Sequence, residues 1–588
     1  MMSLRRFPLV GALLWLCWAP PLATAEQAPE LAAAEEIEPA AQRLDALFHT
    51  TFQARLDHDP SLANRVGDGR SVGRMTVDLS EAYRARSREI YQRAARDARA
   101  IPLDELDARR RTWAEAFRWL VDMQLELLDR PLHLLPLIPG ADFPSEFAGV
   151  AAGDADLAMD SAEDLRAYAS RANDLVRWVD QAIDNLRRGA ERGFVHPKLV
   201  VAREIQAIAG MVGGPLGDTV FQRPLETAEG LGLPPDQLQA LREELETATR
   251  TLVVPAYARF HAFLTREYLT TARDDLGLGE LDGGAELYRS LVRYFTTTEL
   301  GPEEVFALGE SESRRRKRSL RVQQRLAAEA TSRFTRDDDQ VLATFRSLEE
   351  SVGQRLDRLF LHRPEAPLAV RFVEPHMTSL GGAFYRGPTP GDPRPGTFFL
   401  QPGGFDLANA EVLFLHEAIP GHHYQIALAQ ELEDVPDFLR YGYFGAFVEG
   451  WALYAESLGE ELGLYRDPTS RVGRERFALG RAGRLVGDVG IHHFGWDLEE
   501  ARSQLGRRQL DWARGEIGRY TTIPGQALAY TIGERKISEL RTRAEESLGS
   551  AFDIRAFHEA VLDDGPLPLI ALEAKIERWI QSEMAATP

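Results

Sequence analysis

The chain has 588 residues, 44% of them hydrophobic, and its 69 Lys and Arg against 90 Asp and Glu leave a formal charge of −21. That length and apolar fraction permit a large core and a deep cleft. Acidic residues spread along the whole chain argue against a nucleic-acid groove, which needs a concentrated basic face.

The first segment carries Arg5-Arg6, an apolar run from Phe7 to Trp18, and Ala23-Thr24-Ala25 ahead of an acidic stretch. This is the pattern of a cleaved secretory signal over residues 1–25. No later segment offers the ~20 uninterrupted apolar residues of a membrane span, so stable membrane insertion is not expected after cleavage. The sole cysteine, Cys17, lies inside the signal, so the mature chain is expected to form no disulfide. Leu14-Trp15-Leu16 is too bulky for a lipoprotein cleavage box, and the expected destination is the periplasm or the medium.

From Pro39 to Leu361 helical periodicity dominates, as in Leu44, Leu47, Phe48 and Phe52, or Trp113, Phe117, Leu120 and Val121. Leu137-Ile138-Pro139-Gly140 and Gly213-Gly214-Pro215 break helices without providing a flexible linker. The basic cluster Arg314–Arg318, flanked by Glu310, Glu312 and Glu329, reads as the solvated face of a long helix. Near Pro367 the pattern changes. Leu368–Val373 and Gly396–Leu400 are short β-favouring runs bounded by Pro and Gly. Helical signals resume after Asp406, so the expected fold is mainly α with a small β element.

The chemistry concentrates in His416-Glu417-Ala418-Ile419-Pro420-Gly421-His422-His423. In zincins two histidines one helical turn apart bind a single ion, and the Glu between them holds a water. Here His416 and His422 are six apart, which in a straight helix means about 240° of rotation and roughly 9 Å of rise. A regular helix therefore fails. Pro420 and Gly421 permit a bulge that loops out two residues, which selects His416 and His422 as ligands, keeps His423 as the alternative second ligand, and makes Glu417 the general base. Phe447–Glu456 supplies the third ligand: Glu449 and Glu456, seven apart, share a face of an apolar helix. Glu449 is read as ligating, and Glu456 as orienting a ligating histidine or pairing with a cation. One Zn2+ is the expected cofactor. The expected divisions are 1–25, a helical region over 26–361 and a zincin-like catalytic region over 362–588.

These residues resemble the bacterial proteins grouped as domain of unknown function 885, placed among zincin-type metallopeptidases. The likeness rests on His416–His423, Glu449-Gly450-Trp451-Ala452, Asp488-Val489-Gly490-Ile491-His492 with Gly495-Trp496, and Arg519-Tyr520 through Pro524–Tyr530. A remoter similarity, to thimet-like oligopeptidases, rests on Phe447-Val448-Glu449 with Glu456, and on Gly525 with Tyr530. It implies a zincin-like multi-helical body with the zinc helix at the base of a deep cleft, and a late tyrosine that stabilises an oxyanion.

The expected activity is zinc-dependent hydrolysis of short peptides, with Glu417 taking a proton from water and passing it to the leaving amine. Tyr530 is the first choice of oxyanion donor and His492 the second, whereas His493 is read as structural. Thr397-Phe398-Phe399-Leu400 is expected to pair with extended substrate, and Tyr385 with the following Gly/Pro-rich loop to cover the site. Two other classes stay open: a metallohydrolase of non-peptide amides or esters, and a non-catalytic metal- or peptide-binding protein.

Overall fold

A computed structural model describes residues 39–153, 157–328, 333–373, 382–391, 394–505 and 510–586. The expected signal, Cys17 and parts of the loops around Tyr385 (including Gly381) lie outside these residues. Helices occupy most of Ala40–Leu361, as the periodicity predicts. Leu44, Leu47, Phe48 and Phe52 are buried on one helix and Trp113, Phe117 and Val121 on another, since spacings of three and four return side chains to one face.

The described residues form five short strands: β1 (Phe334–Thr335), β2 (Leu368–Phe372), β3 (Phe384–Arg386), β4 (Gly396–Leu400) and β5 (Phe405–Asp406). β1 and β5 form a two-residue antiparallel pair. The other three make a sheet in the order β2-β4-β3, with β2 parallel and β3 antiparallel to β4. This corrects one expectation. β4, the strand anticipated to bind substrate, is hydrogen-bonded on both sides, so its backbone has no edge to offer.

Six helices carry the candidate site: α1 (Ala410–Glu417), α2 (His422–Glu431), α3 (Gly445–Ser457), α4 (Pro468–His492), α5 (Leu510–Thr522) and α6 (Ala529–Leu548). All but α5, whose Ile517 and Tyr520 belong to a smaller cluster, share a hydrophobic core with the first described helices of the chain; the ring centroids of Phe48, Phe117 and Phe438 lie within 5.1 Å of one another. The compositional change near Leu361 is thus not a break in the core, and Ala40–Pro588 forms one unit. A second cluster, from Met75 to Ala272, gathers helices of the first half. No helix among the described residues is long and apolar enough to cross a membrane.

The basic cluster lies on the helix Pro302–Leu326 and is largely solvated, as predicted, except for Arg316. That residue is buried, donating from Nε to Glu312 at 2.7 Å and from Nη2 to Glu534 of α6 at 3.2 Å. A guanidinium survives in the interior only with such partners.

Helices α3 and α6 meet through glycines. A Cβ on Gly450 would collide with the Cα of Gly533, and one on Gly533 would collide with the carbonyl oxygen of Ala446. Backbone contact at this crossing brings Glu449 and Tyr530, each within three residues of it, to the same place. Gly533→Ala is therefore expected to destabilise the protein by about 1–3 kcal/mol through overpacking, read as a lower midpoint in thermal or urea denaturation; an unchanged midpoint would mean that the crossing relaxes freely.

Candidate metal centre

The segment that cannot be a regular helix is not a bulge but a full break. α1 ends at Glu417, Ala418 adopts φ −107°, ψ −110°, the Ile419–Pro420 peptide is cis, and α2 begins at His422. Gly421 sits against α1 so closely that a Cβ would overlap the carbonyl oxygens of Leu415 and His416. Trp451 of α3 donates from its indole to the Pro420 carbonyl at 2.8 Å, tying the break to the neighbouring helix. His416 thus stands in the last turn of one helix and His422 in the first of the next. The six-residue spacing is resolved by folding the two ends together.

His416, His422 and Glu449 converge, with one ligand atom of each within 4.8 Å of the others. Glu449 Oε2 is 3.8 Å from His416 Nε2 and 3.5 Å from His422 Nε2. All three are buried, and Glu449 Oε2 has no hydrogen-bond partner. Burial works against ionised Glu449, but the close approach and charge of His422 outweigh it and hold the pKa down at about 2. Burial, then the nearby His422, keeps His416 neutral, its pKa well below the usual imidazole value. Burial would lower His422 too, yet Glu449 raises it. Glu417, adjacent to His416, is pushed up to about 7, first by burial and then, against the pull of His422, by Glu449.

Behind His416, Glu456 places Oε1 2.9 Å from Nδ1, off the line of a well-directed hydrogen bond, and 3.3 Å from Nη2 of Arg481. The carboxylate therefore faces both the imidazole and a cation. His423 is outside the cluster: its Nδ1 lies 3.0 Å from the Tyr385 hydroxyl, and burial pushes its pKa down to about 4. Tyr385 is a residue of β3, held against α2 by this contact.

Tyr530 stacks on His416 with ring centroids 6.2 Å apart. Its hydroxyl oxygen accepts from Arg519 Nη2 at 2.7 Å, and its proton has no acceptor among the described residues. The guanidiniums of Arg484 and Arg519 lie 4.5 and 5.1 Å from its ring centroid. Arg484 is in turn fixed by Glu516, at 2.8 and 3.2 Å. Tyr443 reaches toward Glu449 Oε1 at 3.5 Å, a long contact.

His492 is a correction. Its Nδ1 accepts from the Leu278 amide at 3.1 Å and its Nε2 lies 3.0 Å from the Tyr520 carbonyl. With both nitrogens committed to backbone it has no donor for an oxyanion, and it is not paired with Asp488. That carboxylate instead accepts from the Tyr288 hydroxyl at 2.6 Å and the Gly525 amide at 3.1 Å. Motif reading missed Arg481, Arg484, Glu516 and Tyr443. The available signal was two arginines three apart among apolar Ala482, Leu485 and Val486, a pattern that buries charge and therefore demands partners.

The family model described as bacterial protein of unknown function (DUF885) matches residues 60–576. No curated protein matches the chain. Among solved structures, one from Colwellia psychrerythraea, described as a putative lipoprotein, superposes with a TM-score of 0.84 at 23% identity, over 92% of this chain and 100% of that one. A second, from Shewanella oneidensis and described as a putative lipoprotein of unknown function, has a TM-score of 0.65 at 19% identity, over 91% and 99%. Both share the fold.

If His492 is a backbone strut, His492→Ala leaves the Leu278 amide and the Tyr520 carbonyl buried without partners. The expected cost is about 2–4 kcal/mol, within the range for two such losses, measured by urea denaturation. Metal content should be unchanged; a variant of undiminished stability would show that the two contacts count for little.

Proposed function

The chain belongs to the family of bacterial proteins of unknown function called DUF885, and from the chemistry of its site we propose that it is a metal-dependent hydrolase of peptide bonds, with one zinc ion held by His416, His422 and Glu449. The observation that carries this reading is Glu449 Oε2, a buried carboxylate oxygen without a donor that faces two imidazole nitrogens at 3.5 and 3.8 Å. Leaving such an oxygen unpaired is costly. Two imidazoles and a carboxylate are a donor set suited to zinc, and three protein ligands are the usual number at a catalytic site.

Zinc bound there supplies a Lewis acid that polarises the scissile carbonyl and lowers the pKa of a water toward neutrality. Glu417, raised toward neutrality by its burial, takes a proton from the attacking water and delivers it to the leaving amine. Tyr530, its oxygen already accepting from Arg519, has its proton available for the oxyanion. Glu456 steers His416 from behind. The likeness of Phe447-Val448-Glu449 and Glu456 to the thimet-like oligopeptidases supports short peptides, bound in a zincin-like cleft, as the substrate class. Export is part of the proposal, on the strength of the leader at residues 1–25 and the lipoprotein descriptions of the two structural neighbours.

Elemental analysis should find about one zinc per chain, as one site of this kind requires. His416→Ala, His422→Ala and Glu449→Ala should each lose it, and His423→Ala should keep it. Glu417→Gln should retain zinc while peptide hydrolysis falls by about 10²–10⁴-fold. A wild type that takes up no zinc when it is supplied, or a Glu417→Gln variant of full activity, would defeat the assignment.

A further inference from the structure

The segment between α2 and α3 is pinned on both sides of Tyr443. Arg440, at the end of the short helix Asp437–Arg440, donates from Nε to the Gln430 carbonyl of α2 at 2.7 Å. Tyr441 stacks on Phe52 with ring centroids 6.2 Å apart, and a Cβ on Gly442 would collide with the Phe438 carbonyl oxygen. Phe444, 3% exposed, meets Trp119 edge-on at 5.7 Å. Between these anchors Tyr443 stays out of the core. It is 55% exposed, whereas Glu449 and Tyr530 are each 8% exposed. An aromatic ring alone on a surface needs no explanation. This one is carried by a fixed backbone that sets its hydroxyl 3.5 Å from Oε1 of a buried carboxylate.

The two oxygens of that carboxylate face different groups. Glu449 Oε2 faces the imidazoles of His416 and His422, and Oε1 faces Tyr443, so the phenol stands one carboxylate's width from the oxygen of the triad. At 3.5 Å the contact is longer than a well-made hydroxyl hydrogen bond, and among the described residues the phenol makes no shorter one. Its proton can therefore turn to a ligand, and hydrogen bonds that serve a reaction are often long until the substrate arrives. Tyr530, Tyr294 and Arg519 all lie close enough to act electrostatically on the Tyr443 phenol. Tyr294 in turn lines a cavity of about 680 Å³, as does Thr522, three residues beyond Arg519 on α5. Room for a substrate thus begins close to the phenol.

We propose that Tyr443 is a second catalytic tyrosine, donating a hydrogen bond to the oxygen of the scissile carbonyl alongside Tyr530. The inference rests on the peptide-hydrolase reading for what is bound, and the test separates the two. As the water oxygen adds to the carbonyl carbon, the π pair of the C=O bond moves onto the carbonyl oxygen, and donors aimed at that oxygen stabilise the charge it gains. Neither phenol gives up its proton. When the C–N bond breaks, the pair returns to re-form C=O, and the amine leaves with the proton that Glu417 took from water. Tyr530 is buried and held by Arg519, so its donor is preset. Tyr443, half exposed on its pinned loop, completes the pair when substrate enters.

Tyr443→Phe keeps the ring and removes only the hydroxyl. The probes are N-acetylated alanine tetrapeptides in which a phosphinate replaces each peptide bond in turn, titrated calorimetrically into the zinc-loaded chain; the anionic phosphinate oxygen mimics the oxyanion. The variant is expected to keep its thermal midpoint and its zinc affinity, the latter measured by competition with a chelator. It should bind the best phosphinate about tenfold to hundredfold more weakly, the worth of one hydrogen bond to a charged group. In hydrolysis kcat should fall by about 10²–10³-fold with KM little changed. Unchanged phosphinate affinity, or a wild type that binds no phosphinate, overturns the assignment. So does a loss of zinc affinity that accounts for the weaker binding, since Tyr443 would then act by positioning Glu449. Hydrolysis is scored separately. Phosphinate held through Tyr443 by a chain that cleaves no peptide leaves the donor standing and counts against the hydrolase, and hydrolysis undiminished in Tyr443→Phe does the reverse.

Discussion

Everything at the candidate centre depends on the contact between Gly421 and the end of α1. The carbonyl oxygens of Leu415 and His416 occupy the space a Cβ would need, so only glycine lets the chain leave one helix and start the next at such short range. Without that approach the six-residue interval would hold His416 and His422 on different sides of a rod. With it, the C-terminal turn of α1 and the N-terminal turn of α2 face each other, and the Trp451 indole fixes the carbonyl in between. The same logic recurs where Gly450 meets Gly533. At both places the absence of a side chain sets the distance at which functional side chains meet.

Close approach of helices excludes water, and this governs the electrostatics. Charges taken out of water persist only with partners, and the structure supplies them from distant parts of the chain. Arg481 and Arg484 of α4 serve Glu456 and Glu516, and Arg519 serves Tyr530. The guanidiniums of Arg484 and Arg519 against the Tyr530 ring also fix the orientation of the phenol. Tyr530 therefore meets His416 as one end of a chain of fixed side chains running back through Arg519 and Arg484 to Glu516.

The sequence reveals the parts of this site that local spacing encodes. Glu449 and Glu456 share a face because seven residues make two turns, and the runs 368–373 and 396–400 form strands because β-favouring residues are bounded by Pro and Gly. His416 and His422 could be chosen because a straight helix was geometrically impossible. What local spacing does not encode is partnership across hundreds of residues. His492 looks like a catalytic histidine beside Asp488 until the backbone of Leu278, over two hundred residues earlier, is seen to occupy one of its nitrogens. β4 looks like a docking edge until β2 and β3 cover both sides of it. The break at Ala418–Gly421 was predicted as a disturbance within one helix, since Pro and Gly announce irregularity without specifying whether a helix kinks or stops.

The balance of buried charge bears on what the centre holds. Glu456 has Arg481 within ion-pair distance, Glu516 has Arg484 and Glu534 has Arg316. Among the described residues, neither Glu417 nor Glu449 has a lysine or arginine within that distance, although both are buried. Around the candidate centre, then, Glu456, Glu516 and Glu534 are matched with guanidiniums and Glu417 and Glu449 are not. Such a pair can be neutralised by a proton or by a metal ion. A proton on His422 compensates Glu449, which is why the imidazole pKa is raised despite burial, but it does nothing for the orphaned geometry of Oε2, which faces two Nε2 atoms at once. A proton sits on one nitrogen and satisfies one contact. A divalent cation accepts lone pairs from all three atoms together, and a set of donors converging on one point is the arrangement for which it is the better counter-charge.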